Sequence, residues 1–208
     1  MEGKFIFNIG KWDYDTFFSP LRRKEDVIRL LLKAMKLIDV SRDINIESDL
    51  KIILNISKMN RLIFVSDIKI FSISFPFIVK EKDNIIKFST LTGEIIDNSM
   101  ISSALSIIDD SGVMSDVCIS GFADKVLDES FYKNEFWPFF RALLLYEDGY
   151  LRFDHDNLRE NGKFHPLNHI DFCYTSSATY KLGLDNKIDS DFLLDILDIS
   201  TDCHYIRR

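Results

Sequence analysis

Leu62-Ile63-Phe64-Val65 places four consecutive apolar residues inside the strongest β region of this chain, Arg61 to Val79. A short run of that kind, rich in β-branched and aromatic side chains, suits a strand buried on both faces. Beyond it Ile68, Ile70 and, with one slip, Ile73, Phe75 and Phe77 alternate with Lys69, Ser72 and Ser74. That is the period-two pattern of a half-buried strand. Pro76 ends or edges the strand, because proline has no N–H for the ladder. Glu81-Lys82-Asp83-Asn84 then turns the chain into Ile85 to Thr90, which pairs back antiparallel.

Around this sheet the sequence predicts helices. Glu25 to Val40 is the clearest, with Val27, Leu30, Leu31, Ala34, Leu37 and Ile38 recurring at three- and four-residue steps. Asp97-Asn98-Ser99 starts a helix over Met100 to Asp109, and the Ser111-Gly112 step breaks it. Val117 to Ile119 reads as a short strand and Phe122 to Phe131 as a helical turn or two. Glu135 to Tyr146 is a buried helix or strand, with Pro138 suited to a first helical turn. Asp49 to Met59 is ambiguous between helix and strand. Lys4 to Ile9 reads as a first strand and Trp12 to Pro20 as an aromatic connection. Asp189-Ser190 caps a final helix with Phe192, Leu193, Ile196, Leu197 and Ile199 on its inner face. The expected class is α+β: one domain of 1–208, with a subdivision near 110–120 as the alternative. Its antiparallel sheet comes from the 61–90 and 150–184 strands, covered by the 24–40 and 189–200 helices.

Charge and cysteines narrow the function. The net charge of −7 argues against diffuse nucleic-acid binding, which rests on Lys and Arg. The one basic cluster in the linear chain, Leu21-Arg22-Arg23-Lys24, reads as a solvated helix start, with a phosphate contact as the alternative. Cys118, Cys173 and Cys203 are scattered, so no Cys-x-x-Cys zinc ribbon or thioredoxin motif exists. The first residues lack a signal-peptide pattern and no apolar run approaches a membrane span, so a soluble, cytoplasmic protein is expected. Trp12, Tyr14, Phe17 and Phe18 read as core or lid aromatics, since Asp13 and Asp15 intervene where a base-stacking platform would carry cations. The stretch Asp185 to Asp202 carries six aspartates and one lysine, an acidic helix face or a surface for a basic partner.

Chemistry concentrates in Tyr150 to Tyr174, where three of the four histidines fall within fifteen residues. The pattern Y-L-R-F-D-H-D, a polar loop, then F-H-P-L-N-H-I-D-F-C-Y predicts a β-hairpin, with Ala178 to Leu184 as a third strand. Side chains alternate faces along a strand. If the apolar faces coincide, Arg152 and Asp154 share a face with His165, His169 and Asp171, and Cys173 joins them as a packing residue. Asp156 continues the same phase. A one-residue slip would dissolve the grouping. Three uses fit. Asp154, Asp171, His165 and His169 could ligate a divalent metal. His165 or His169 could act as general base while Arg152 holds a phosphate. Alternatively, the patch is a contact surface. A cross-strand network with no further role is the plain structural reading. The H-x-x-x-H spacing of His165 and His169 lacks the glutamate of a zincin, and Pro166 opposes a helix there.

These runs resemble the C-terminal half of a bacterial family of unknown function, whose members are similar in length and carry an R-x-D-x-D strand followed by an H-P-x-x-H strand. The matching positions are Arg152, Asp154, Asp156, His165, Pro166 and His169, over roughly a third of the chain. A looser likeness is to small bacterial toxins with an R-x-D strand and closely spaced histidines, which would imply RNA cleavage. Both likenesses imply a conflict-system role such as antiphage defence or toxin–antitoxin control. The leading expectation is an accessory or regulatory subunit that binds a protein partner, with nucleic acid as a partner only through a local site. The alternative is a nuclease or phosphodiesterase working through the hairpin residues. Oligomeric state is left open.

Overall fold

The computed structural model describes residues 2–40, 48–83, 85–110, 119–132 and 134–206. In chain order, β1 (Gly3–Asn8) leads through a 3-10 turn at Lys11–Asp13 to α1 (Tyr14–Phe18) and α2 (Lys24–Val40). Six strands follow: β2 (Lys51–Ile56), β3 (Arg61–Val65), β4 (Lys69–Ser74), β5 (Ile78–Lys82), β6 (Ile85–Ser89) and β7 (Ile95–Ile96). Then come α3 (Asn98–Asp109), α4 (Ile119–Tyr132) and α5 (Phe136–Leu145). The chain closes with β8 (Leu151–His155), β9 (Asn168–Asp171), β10 (Lys181–Leu184) and α6 (Ser190–Leu197). The fold is α+β, with every described strand pair antiparallel.

Two compact units share the chain. One is built from 1–22, 45–75 and 148–208, the other from 23–44 and 76–147. The 110–120 stretch, where the sequence allowed a subdivision, lies largely outside the described residues, as do Ser111-Gly112, Val117 and Cys118.

The first unit is a sheet in the order β1-β2-β3-β4-β8-β9-β10. Its two faces have different chemistry. On one, Ile53, Ile63, Ile70, Leu151, Phe153 and Ile170 form an apolar core with Leu193 of α6. Asp189 caps α6, accepting from the backbone N–H of Phe192 at 2.8 Å, which satisfies a helix donor that would otherwise lack a partner. On the other face Phe64 stacks on Phe71 with centroids 4.7 Å apart. Phe17 and Phe18 of α1 sit against Phe64 and Phe71, so the expected aromatic connection holds a short helix and contributes core.

Several expectations need correction. The 61–79 stretch is three strands, because Ser66 closes a tight turn on Lys69: its N–H and Oγ–H both donate to the Lys69 carbonyl. β5 and β6 leave the main sheet and form a separate one, ordered β5-β6-β7. Ser74, the last residue of β4, bonds instead to the Asp148 carbonyl through its N–H, and β8 takes the place beside β4. Helix 24–40 belongs to the second unit, where α2 packs with α3, α5 and β6. The 49–59 and 135–146 ambiguities resolve as β2 and α5. In α5, Phe136, Phe139 and Phe140 are buried, and Phe139 meets Phe77 at 5.4 Å.

Candidate functional site

Register decides the site. β8 pairs with β9 so that Arg152 stands opposite Asp171 and Asp154 opposite His169. β10 adds Lys181 opposite Asp171, and β4 puts Lys69 opposite Asp154 and Phe71 opposite Arg152. Directly paired residues share a face. One row therefore crosses the sheet as Phe64, Phe71, Arg152, Asp171, Lys181, changing from aromatic to charged.

The charged heads form one connected network. Arg152 Nε donates to Asp154 Oδ2 at 2.8 Å, Nη1 to the Tyr150 hydroxyl at 3.3 Å, and Nη2 to Asp171 Oδ2. Lys181 Nζ donates to Asp171 Oδ1 at 3.0 Å. His169 Nδ1 lies 2.8 Å from the Pro166 carbonyl, which can only accept, so Nδ1 carries the proton. Its Nε2 then accepts from Lys181 Nζ at 2.9 Å and leaves Asp154 Oδ2 at 3.6 Å. Two carboxylates thus meet one guanidinium and one ammonium.

Exposure grades across the group. The His169 side chain is 1% exposed and the Lys181 side chain 32%. Burial pushes the Tyr150 hydroxyl up to about 12, outweighing the Arg152 guanidinium beside it. Burial would likewise raise the Asp154 carboxyl, but the Arg152 guanidinium beside it acts against burial, and the carboxyl is held below its ordinary value. Burial, then Arg152, lowers Lys69, whose Nζ donates to the Phe18 carbonyl at 2.8 Å.

Of the sequence-predicted residues, Arg152, Asp154, His169 and Asp171 converge. His165 and Asp156 do not join them. The second strand starts at Asn168, because Pro166 cannot donate to a ladder, so His165 lies in the β8–β9 loop. Its ring meets His169 edge-on at 4.7 Å, its Nε2 stands 3.9 Å from Asp156 Oδ2, and its Nδ1 is buried without a hydrogen-bond partner among the described residues. Asp156 caps the loop, accepting from the backbone of Leu158 at 3.2 Å and of Arg159 at 3.0 Å. Lys181, Lys69 and Tyr150 were missed. Tyr150 was readable as the residue preceding Arg152 in the same phase. Lys181 needed the register of β10.

Donor atoms of Asp154, His169 and Asp171 lie within 4.8 Å of one another, a set whose types suit a divalent ion. His165 is outside it. The same donors already receive Arg152 and Lys181, so a metal would have to displace an ammonium from His169 and Asp171. The arrangement is thus already neutralised, and its hydrogen bonds point inward.

The loop above it is tied to the network through His169. His169 holds the Pro166 carbonyl, His155 Nδ1 donates to Asn168 Oδ1 at 2.8 Å, and Asn161 bridges His165. At the surface this loop carries Leu158, 96% exposed, and Phe164, 90% exposed. Among the described residues no helix is long and apolar enough to cross a membrane. Comparison with protein-family models, with curated proteins and with solved structures finds no match.

Proposed function

We propose that this chain is an accessory or regulatory subunit that acts by binding a protein partner through the β8–β9 loop, in a bacterial conflict system of the kind its sequence resembles. One observation carries the binding role. The buried charges under the hairpin are satisfied by each other, while the loop that His169 ties to them holds Leu158 and Phe164 in water. Large apolar side chains on an ordered loop have no internal use, and anchors of this kind dominate interface energetics. The net charge of −7 favours a protein over a nucleic-acid partner. The conflict-system setting rests on the hairpin resemblance alone.

The test is retention of a partner by tagged protein in its host. Wild-type chain retains a stoichiometric protein, and the Leu158→Asp/Phe164→Asp variant, folded by circular dichroism, loses it. Retention by that variant would refute the loop's role.

A second reading draws on the convergence of Asp154, His169 and Asp171. It is a metal-assisted nuclease or phosphodiesterase in which those three hold the ion and Arg152 contacts the phosphoryl group. It requires Lys181 to move. RNA, single-stranded DNA and duplex DNA incubated with Mn²⁺ separate the two readings: turnover abolished by His169→Ala supports the second, and intact substrates support the first.

A further inference from the structure

The second unit assembles a basic face that the linear sequence hides. β5 pairs with β6 so that Lys80 stands directly opposite Lys87, and Lys82 opposite Ile85. Strand alternation puts Ile78, Lys80 and Lys82 on one face with Ile85, Lys87, Ser89 and Ile95. Val79, Ile86, Phe88 and Ile96 alternate with them and are buried. Like charges directly opposed work against strand pairing. Lys87 offsets part of this with Asp39, at 3.2 Å. Lys80 and Lys82 have no ion-pair partner among the described residues.

A second observation marks the same place. Ser89 is 5% exposed and its hydroxyl is buried with no hydrogen-bond partner among the described residues. Leaving a buried hydroxyl unsatisfied carries a desolvation cost. Ser89 lines an open pocket of about 400 Å³ on this sheet face together with Lys80, Lys82, Lys87, Ile85 and Ile95. Asp83 is the one acid in that wall. The volume falls within the range of small-molecule sites, which join an apolar surface to a few polar groups.

We infer that this pocket binds a small organic phosphate of mononucleotide size. Lys80, Lys82 and Lys87 supply point positive charges for the phosphate oxygens. Ile85 and Ile95 supply an apolar wall for the organic part, and Ser89, whose hydroxyl is closed off from solvent in this structure, gains the hydrogen bond it lacks by turning toward the ligand. A long polyanion is disfavoured, because the whole chain is net negative. This inference does not depend on the loop reading, since every residue in it belongs to the other unit.

Isothermal titration of the full chain with AMP, adenosine and inorganic phosphate tests it. AMP is expected to bind in roughly the sub-millimolar range, with adenosine and phosphate each at least about tenfold weaker because each lacks half the contacts. Lys80→Gln/Lys82→Gln, both at exposed positions, weakens AMP by about tenfold or more. Ser89→Ala weakens it by about threefold to tenfold without lowering the melting temperature, because it removes an unsatisfied group. No saturable AMP binding, or AMP binding unchanged in the lysine variant, overturns the inference. Phosphate matching AMP overturns the apolar wall, and an oligonucleotide binding far more tightly than AMP overturns the small-ligand assignment.

Discussion

Arg152 and Asp171 face each other across β8 and β9, and the same guanidinium also holds Asp154 two residues along its own strand. One cation therefore ties two buried carboxylates. A network of this kind is costly to break, because removing one partner strands a buried charge.

Asp171→Asn tests that cost. Asp171 is 4% exposed and meets both Arg152 and Lys181. The variant is expected to lose about 3–5 kcal/mol of unfolding free energy in urea titration. Arg159→Ala is the control: Arg159 pairs with Asp156 at the surface, its side chain 76% exposed. That loss is expected to stay below about 1 kcal/mol. Equal losses in the two variants would show that the inner network contributes no more than a surface pair.

Acid should unmask Asp154. Its carboxyl is held below its ordinary value in the fold, with the Arg152 guanidinium beside it acting against burial. A depressed folded value means the unfolded chain binds the proton more readily. The stabilisation is therefore complete above the unfolded carboxylate range, near about pH 4, and is lost as pH falls through the folded value. Asp154→Asn should flatten the acid limb of the stability–pH curve. An unchanged acid limb would place the titrating groups elsewhere.

Two glycines with nearly the same positive φ should respond differently to alanine. Gly149 has φ 51° and Gly162 has φ 50°. A Cβ at Gly149 would lie 2.8 Å from Ser74 Oγ and 3.0 Å from Arg61 Nη2, whereas at Gly162 it meets nothing within 4 Å. Gly162→Ala is expected to cost about 1–2 kcal/mol from the left-handed backbone alone. Gly149→Ala adds the clash and should cost more, read as a lower thermal midpoint.

Metal response separates occupied donors from free ones. In the wild type Lys181 sits on His169 and Asp171, so Zn²⁺ or Mn²⁺ should leave the melting temperature unchanged. Lys181→Ala frees donors that already lie within 4.8 Å of one another. Metal should then raise its melting temperature in a concentration-dependent way. A rise in the wild type would favour the hydrolytic reading.

Much of the fold follows from local patterns that a sequence carries openly. The stripe of Val27, Leu31, Ala34 and Ile38 set α2 within a residue of its start, and Asp97 and Asp189 marked the caps of α3 and α6. What was not legible depends on long-range pairing. Nothing near Ser74 says that its strand is followed in space by Leu151 rather than Ile78, because that choice is made by β8 arriving from 77 positions later. The site divided the same way. Arg152, Asp154, His169 and Asp171 could be grouped by strand phase alone. His165 was misplaced because Pro166 delays the start of β9, and Lys181 was missed because its role is set by a third strand.

Amide hydrogen exchange of the β8–β9 loop, compared between wild type and His169→Ala, tests the central claim that the buried network braces this loop through His169. The His169 contact with the Pro166 carbonyl is removed, while the backbone bonds of Asp156 to Leu167 and of Asn161 to His165 are left to hold on their own. The amides of 156, 161 and 165 should exchange about tenfold faster or more, with those of β2 and β3 unchanged. Loop exchange equal to wild type, or acceleration spread evenly over the whole sheet, would contradict the account.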